Sequence, residues 1–154
     1  MLREKLPMAL ALAGIVLVGE ARAQEKLGNA EEAKAMLAKA VAAVKADKAK
    51  AIDMFNKGEG GFLDRDLFPF CTNISDGKLL ASQAKTLIGT DTRTVKDKAG
   101  NPFGQAIYDA ALKAEGTIVE VSYMFPRPGE TEPVQKVSFV TRLGDIFCGV
   151  GYYK

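Results

Sequence analysis

The last third of the chain, Gly116 to Lys154, leaves the fewest choices of fold. Three stretches rich in β-branched and aromatic residues follow one another there: Thr117–Phe125, Val134–Leu143 and Ile146–Tyr153. A proline loop, Pro126 to Pro133, separates the first two. Gly144-Asp145 separates the last two and has the glycine that a two-residue hairpin turn wants at its first position. Strands joined so tightly are antiparallel neighbours, so this segment predicts a sheet.

The rest of the sequence supplies partners for that sheet. Leu67–Ile74 reads as a strand with Pro69 near its start, and Lys78–Ala81 returns after the turn signal Asp76-Gly77. Pro102 suits the first turn of a short helix whose apolar face carries Phe103, Ile107, Ala110 and Ala111 and which ends before Gly116. Upstream, Asn29 with Glu32 forms a capping-box signature. From Ala30 to Lys57 good helix formers surround a stripe of Leu37, Val41, Val44, Ala51, Ile52 and Phe55. This predicts one helix of roughly 40 Å, long enough for its first turns to project or to pack on a partner. Helix, two strands, connector with a helix, three strands: the fold class is α+β, with a five-stranded antiparallel sheet, a long N-terminal helix and a short helix in the connector between the second and third strands.

The N-terminus reads as an export signal covering residues 1–23. Arg3 and Lys5 form a basic start, Leu6–Val18 is apolar, and Ala21-Arg22-Ala23 puts small residues where a signal peptidase reads them. A membrane span needs roughly 20 apolar residues, and Glu20 and Arg22 follow too soon for an anchor. The working protein is then expected to be one domain, residues 24–154, in the periplasm.

Composition excludes several chemistries. There is no histidine, so neither imidazole-ligated metal sites nor Ser/Cys triads built on histidine are available. Lys and Arg number 21 against 19 Asp and Glu, net +2 and mixed along the chain. That gives no footprint for nucleic acid. Asp64, Asp66, Asp76, Asp91 and Asp97 fall in turn contexts, where aspartate bonds the local backbone. No EF-hand spacing and no Cys-x-x-Cys pair occurs. No metal, cofactor or catalytic residue is expected, and the protein is not read as an enzyme. Cys71 and Cys148 both lie in expected strands; an oxidising compartment allows them to bridge, and the alternative is two buried thiols.

In combination the motifs resemble the single Cache domain, a PAS-like extracellular sensor module of bacterial receptors. Phe68-Pro-Phe and Asn73-x-x-Asp76-Gly77-Lys78 are similar to its first hairpin. Leu87-Ile88-Gly89-x-Asp91 and Lys96-Asp97-x-x-Gly100-Asn101 are similar to its connector. Glu120-Val121-x-Tyr123-x-Phe125-Pro126-x-Pro128-Gly129 with Lys136 is similar to its central hairpin, and Gly149-Val150-Gly151-Tyr152-Tyr153 to its closing strand. The resemblance implies a PAS-like sheet with a pocket on one face for a small organic acid or amine. Alternation puts Val121, Tyr123 and Phe125 on one face of their strand, and Lys136, Ser138 and Val140 on one face of the next.

Tyr123 and Lys136 are the expected ligand-fixing pair, with Ser138 beside them and Phe125, Phe70 and Phe103 as walls. Arg142 is expected in solvent beside its turn. Receptors of this family continue from the sheet into a second transmembrane helix. This sequence stops after Tyr153-Lys154, so the resemblance implies a stand-alone module that feeds a separate membrane receptor, kinase or transport partner. A homodimer through the N-terminal helix is a further expectation. The competing reading is a non-enzymatic scaffold that docks through that helix and a sheet edge.

Overall fold

The computed structural model describes residues 26–154. The expected signal segment, residues 1–23, and its junction at Gln24 lie outside the described residues.

Asn29 starts the first helix as expected. Its side chain accepts from the Glu32 amide at 3.0 Å, and the Glu32 carboxylate accepts from the Asn29 amide at 3.0 Å. Helix α1 then runs Ala30–Ala46 and stops at Asp47, whose backbone is extended (φ −160°, ψ 101°). The Asp47 amide still bonds the Ala43 carbonyl, while its side chain accepts from the Lys50 amide at 3.0 Å and opens helix α2, Lys48–Lys57. The single helix expected over 30–57 is therefore two. An aspartate side chain competing for a backbone amide breaks a run that its neighbours would continue. Gly58, in the left-handed region at φ 69°, ends α2.

The break changes where α1 goes. Ala33, Met36, Leu37, Ala40 and Val44 are buried against one face of the sheet, so its first turns pack on the domain instead of projecting.

The sheet contains β1 (Pro69–Asn73), β2 (Leu79–Ala81), β3 (Val119–Pro126), β4 (Pro133–Leu143) and β5 (Ile146–Tyr153) in the order β2-β1-β5-β4-β3. Every pairing is antiparallel. The last strand in sequence is thus the central one, and nearly all of it is buried. Edge strand β3 alternates between partly buried and exposed, as a strand covered on one face should.

Each sheet face has its own core. Cys71, Phe139, Ile146, Cys148 and Val150 face α1 and α2. Cys71 and Cys148 are register partners on β1 and β5 and are joined by a disulfide, S–S 2.07 Å. Of the two readings left open by the sequence, the bridge is the one found. The opposite face carries Val140, Phe147, Val121 and Tyr123 and is covered by helix α3, Phe103–Leu112, and by the connector between β2 and β3.

The connector carries two short 3-10 turns, Lys85–Leu87 and Thr92–Thr94, and side chains tie it to the sheet. Thr72 on β1 shares a buried hydroxyl–hydroxyl bond of 3.0 Å with Thr92. Asp97 accepts from the amides of Ala99 and Asn101, which folds its own loop as expected. Gly104 lets α3 press on the connector backbone, since a Cβ there would lie 1.9 Å from the Thr92 carbonyl oxygen.

Candidate functional site

Between the sheet and the connector lies a cavity. About 60 Å³ of it is open to the centre of a water-sized sphere, room for a ligand of a few non-hydrogen atoms. The sheet supplies Phe70, Tyr123, Phe125 and Lys136, with Phe68 just ahead of β1; α3 supplies Phe103 and Ile107; the connector supplies Leu87, Thr92 and Val95. The lining contains one charged side chain, Lys136, and no carboxylate.

Register places the central pair. Tyr123 on β3 is the cross-strand partner of Lys136 on β4, and Lys136 is in turn the partner of Tyr153 on β5. Side chains of directly paired residues share a face, so these three stand side by side.

Lys136 is 4% exposed. Its ammonium lies over three rings, 4.9 Å from the Phe68 centroid, 5.2 Å from Phe125 and 4.8 Å from Tyr153. Among the described residues no hydrogen bond or ion pair reaches its Nζ. Burial brings its pKa down to about 8, against a smaller upward pull from the Asp66 carboxylate. Ring faces offer a cation part of what water would, but they leave its three N–H donors unmet.

Tyr123 is fixed by its neighbours. Its hydroxyl shares a 2.8 Å bond with Ser138 Oγ, and its ring stacks on Phe103 at 4.9 Å between centroids. Burial pushes its pKa up to about 12, only partly offset by the Ser138 bond, so the hydroxyl is neutral. Phe103 also meets Phe125 edge-on at 5.9 Å. The Tyr153 hydroxyl donates to the Pro126 carbonyl at 2.6 Å, which anchors the third ring over Lys136.

Two glycines of β5 make room for this arrangement. A Cβ at Gly151 would lie 2.5 Å from Ser138 Oγ and 2.6 Å from Lys136 Cε; one at Gly149 would lie 2.5 Å from Phe70 Cζ. Only bare backbone lets the Lys136 stem, Ser138 and the Phe70 ring lie across the central strand.

Five of the six residues singled out in the sequence, namely Tyr123, Lys136, Phe125, Phe70 and Phe103, line one cavity. Ser138 does not line it: it is fully buried beneath the surface and orients the tyrosine. Sequence reasoning missed Tyr153, which follows from the β4–β5 register, and Thr92, which no periodicity marks. Arg142 stands apart beside its turn, its Nε donating to the Gly144 carbonyl at 3.1 Å.

Solved structures share this architecture. A methyl-accepting chemotaxis protein from Vibrio parahaemolyticus superposes with TM-score 0.63 at 21% identity, over 80% of this chain and 86% of that one. A periplasmic sensor domain of a chemotaxis protein gives 0.59 at 22%, over 80% and 88%. A Cache chemosensory domain that recognises carboxylic acids gives 0.63 at 18%, over 80% and 91%. At these identities the likeness is one of fold. No curated protein matches the chain in sequence. The profile of the single Cache domain 2 family matches residues 9–153, the whole of the sheet, the helices and the cavity. The chain belongs to the single Cache domain 2 family.

Proposed function

We propose that this protein is a periplasmic sensory module that binds a small carboxylate non-covalently in the Lys136 cavity. The observation that carries the reading is the buried ammonium of Lys136, ringed by aromatic faces and bonded to no described residue. A carboxylate supplies the missing acceptors. An amine would place a second cation beside the first with no carboxylate in the lining to receive it. Tyr123 offers a neutral hydroxyl at the same end, and Phe70, Phe103 and Ile107 supply an apolar wall for a short alkyl or keto tail. The solved Cache domain that recognises carboxylic acids supports the same class.

In this reading Lys136 and Tyr123 fix the ligand, and no reaction is assigned to them. Residues 1–23 act in this proposal as a cleaved export signal, and residues 24–154 as the working domain. The domain reports to a separate partner, such as a membrane receptor or kinase, and α1 is the surface for a second copy. The test is a thermal-shift screen of the exported protein against short mono-, di- and keto-acids and matched amines. A ligand at a hundred times its Kd stabilises by about 2.7 kcal/mol. One class of small carboxylate should raise the melting temperature; a shift only with amines, or with nothing in the screen, overturns the reading.

A further inference from the structure

The two edges of the sheet differ. At one edge β2 is short and its outer side is already taken: the Leu79 amide donates to the Thr90 carbonyl at 2.9 Å, and the Gly89 amide donates to the Leu79 carbonyl at 2.8 Å. The other edge, β3, is bare. It pairs with β4 in one unbroken register. Among the described residues only β4 hydrogen-bonds the backbone of 119–125. A long edge left open is a template for another strand, and proteins that avoid such pairing blunt it with lysine, proline or a bulge. β3 has no lysine and no bulge, and its proline, Pro126, is its last residue.

The side chains of β3 are sorted between two faces. Val121, Tyr123 and Phe125 turn to the side of α3 and the cavity, while Glu120, Ser122 and Met124 are exposed on the other. Ile118, just ahead of the strand, continues the exposed row. Ile118 is 49% exposed and Met124 40%, two of the four large apolar side chains left exposed among the described residues. They stand at opposite ends of the row, with one charge, Glu120, between them.

A row in this order is complementary to itself. An antiparallel copy of β3, related by a two-fold axis through Val121, sets Ile118 opposite Met124 at both ends and Glu120 opposite Ser122 between them. Directly opposed side chains are the ones that meet on a sheet. Slid by two residues one way, Glu120 meets Glu120; slid the other way, Ile118 meets Pro126 and Met124 meets Glu120. In the two-fold register Pro126, with no N–H to give, falls opposite Gly116, which at φ 68° lies outside the strand. A shallow hollow beside Met124, walled in part by Ala99 and Pro133, takes the Ile118 side chain. We propose that β3 pairs with β3 of a second copy in this register, giving one continuous sheet with five strands from each copy. The contact uses no residue of α1 and does not depend on what the Lys136 cavity binds. One strand pair with its flanking loops is a small interface, below about 1,200 Å² in total, so the dimer is a weak one.

The test is sedimentation of the exported protein across the micromolar range, with substitutions in the exposed row. Met124→Lys should weaken the dimer about tenfold or more. Charge at Ser122 should act in opposite senses. Ser122→Lys places a cation opposite Glu120 twice in the dimer and should tighten it about fivefold; Ser122→Glu places like charges there and should weaken it about as much. Cysteine pairing reads the register directly. Under mild oxidation a mixture of the Glu120→Cys and Ser122→Cys proteins should cross-link. Either alone should not, because its two copies of the cysteine sit diagonally, about 7–8 Å apart and beyond disulfide reach. Each substituted side chain is exposed, and thermal melts check that every variant folds. The proposal is overturned if the protein stays monomeric throughout, if Ser122→Lys and Ser122→Glu shift association in the same sense, if the mixed cysteine proteins fail to cross-link, or if either cross-links alone. A dimer held by α1 instead would leave the mixed cysteine proteins unlinked.

Discussion

Replacing Lys136 with methionine should make the ligand-free protein more stable while removing its carboxylate binding. The magnitude follows from the site. Bringing a lysine pKa from 10.5 to about 8 corresponds to about 3 kcal/mol against the buried ammonium. Its contacts with Phe68, Phe125 and Tyr153 return part of this, about 0.5–1 kcal/mol for each ring. Methionine fills similar volume without charge, so the net gain is about 0–1.5 kcal/mol, at most roughly 6 °C in melting temperature. The sign with pH is also fixed. Between pH 8 and 10.5 the unfolded chain holds the Lys136 proton more tightly than the folded one. Stability from this group is therefore lowest below pH 8, rises through that window, and is fully present above it. Thermal melts of both proteins from pH 6 to about 10 give the assay. The advantage of Lys136→Met should be largest at pH 6–7 and shrink towards pH 10. A variant less stable than the parent at pH 7, or a gap that does not change with pH, would refute the buried, unpaired ammonium.

Gly151→Ala would press a methyl group within 2.6 Å of Lys136 Cε and 2.5 Å of Ser138 Oγ, and carboxylate affinity should fall about tenfold or more in calorimetry while far-UV circular dichroism is retained. Tyr123→Phe leaves the buried Ser138 hydroxyl without its 2.8 Å partner and should cost about 1–2 kcal/mol in urea unfolding, with weaker ligand binding. Carboxylate affinity should fall about tenfold per pH unit above Lys136's value of about 8 and stay level below it, read by titration across pH 6–9.5. Removing the disulfide with Cys71→Ala and Cys148→Ala together opens a link across 77 residues of sequence and should lower unfolding free energy by about 4 kcal/mol in the chain-entropy model, read by urea denaturation.

The sheet was legible because its signals are local: turn residues at Asp76-Gly77 and Gly144-Asp145, and alternation along each strand. The Tyr123–Lys136 pair was legible for the same reason once the two strands were taken as hairpin neighbours. What the sequence hid depends on contacts between distant segments. The break at Asp47 sits in a run whose composition continues the helix on both sides, and only a side-chain bond to the Lys50 amide ends it. Gly149 and Gly151 stand out as a motif, but the space they vacate is needed by Phe70, Lys136 and Ser138, which lie on other strands. Asp66 reads as one more turn carboxylate. That its side chain is buried and bonded to the Gly28 amide depends on where the segment before α1 packs. The connector residues Leu87, Thr92 and Val95 follow no period, because a loop that lids a cavity is shaped by what it covers.

A carboxylate is expected to complete the unmet donors of Lys136. The most direct measurement is a crystal structure of the exported protein grown with the carboxylate that stabilises it most. The expected result is a carboxylate oxygen within hydrogen-bond distance of Lys136 Nζ, with the tail of the ligand against Phe70 and Phe103. A ligand bound elsewhere, or a Lys136 ammonium still bonded only to ring faces while the cavity stays empty, would contradict it.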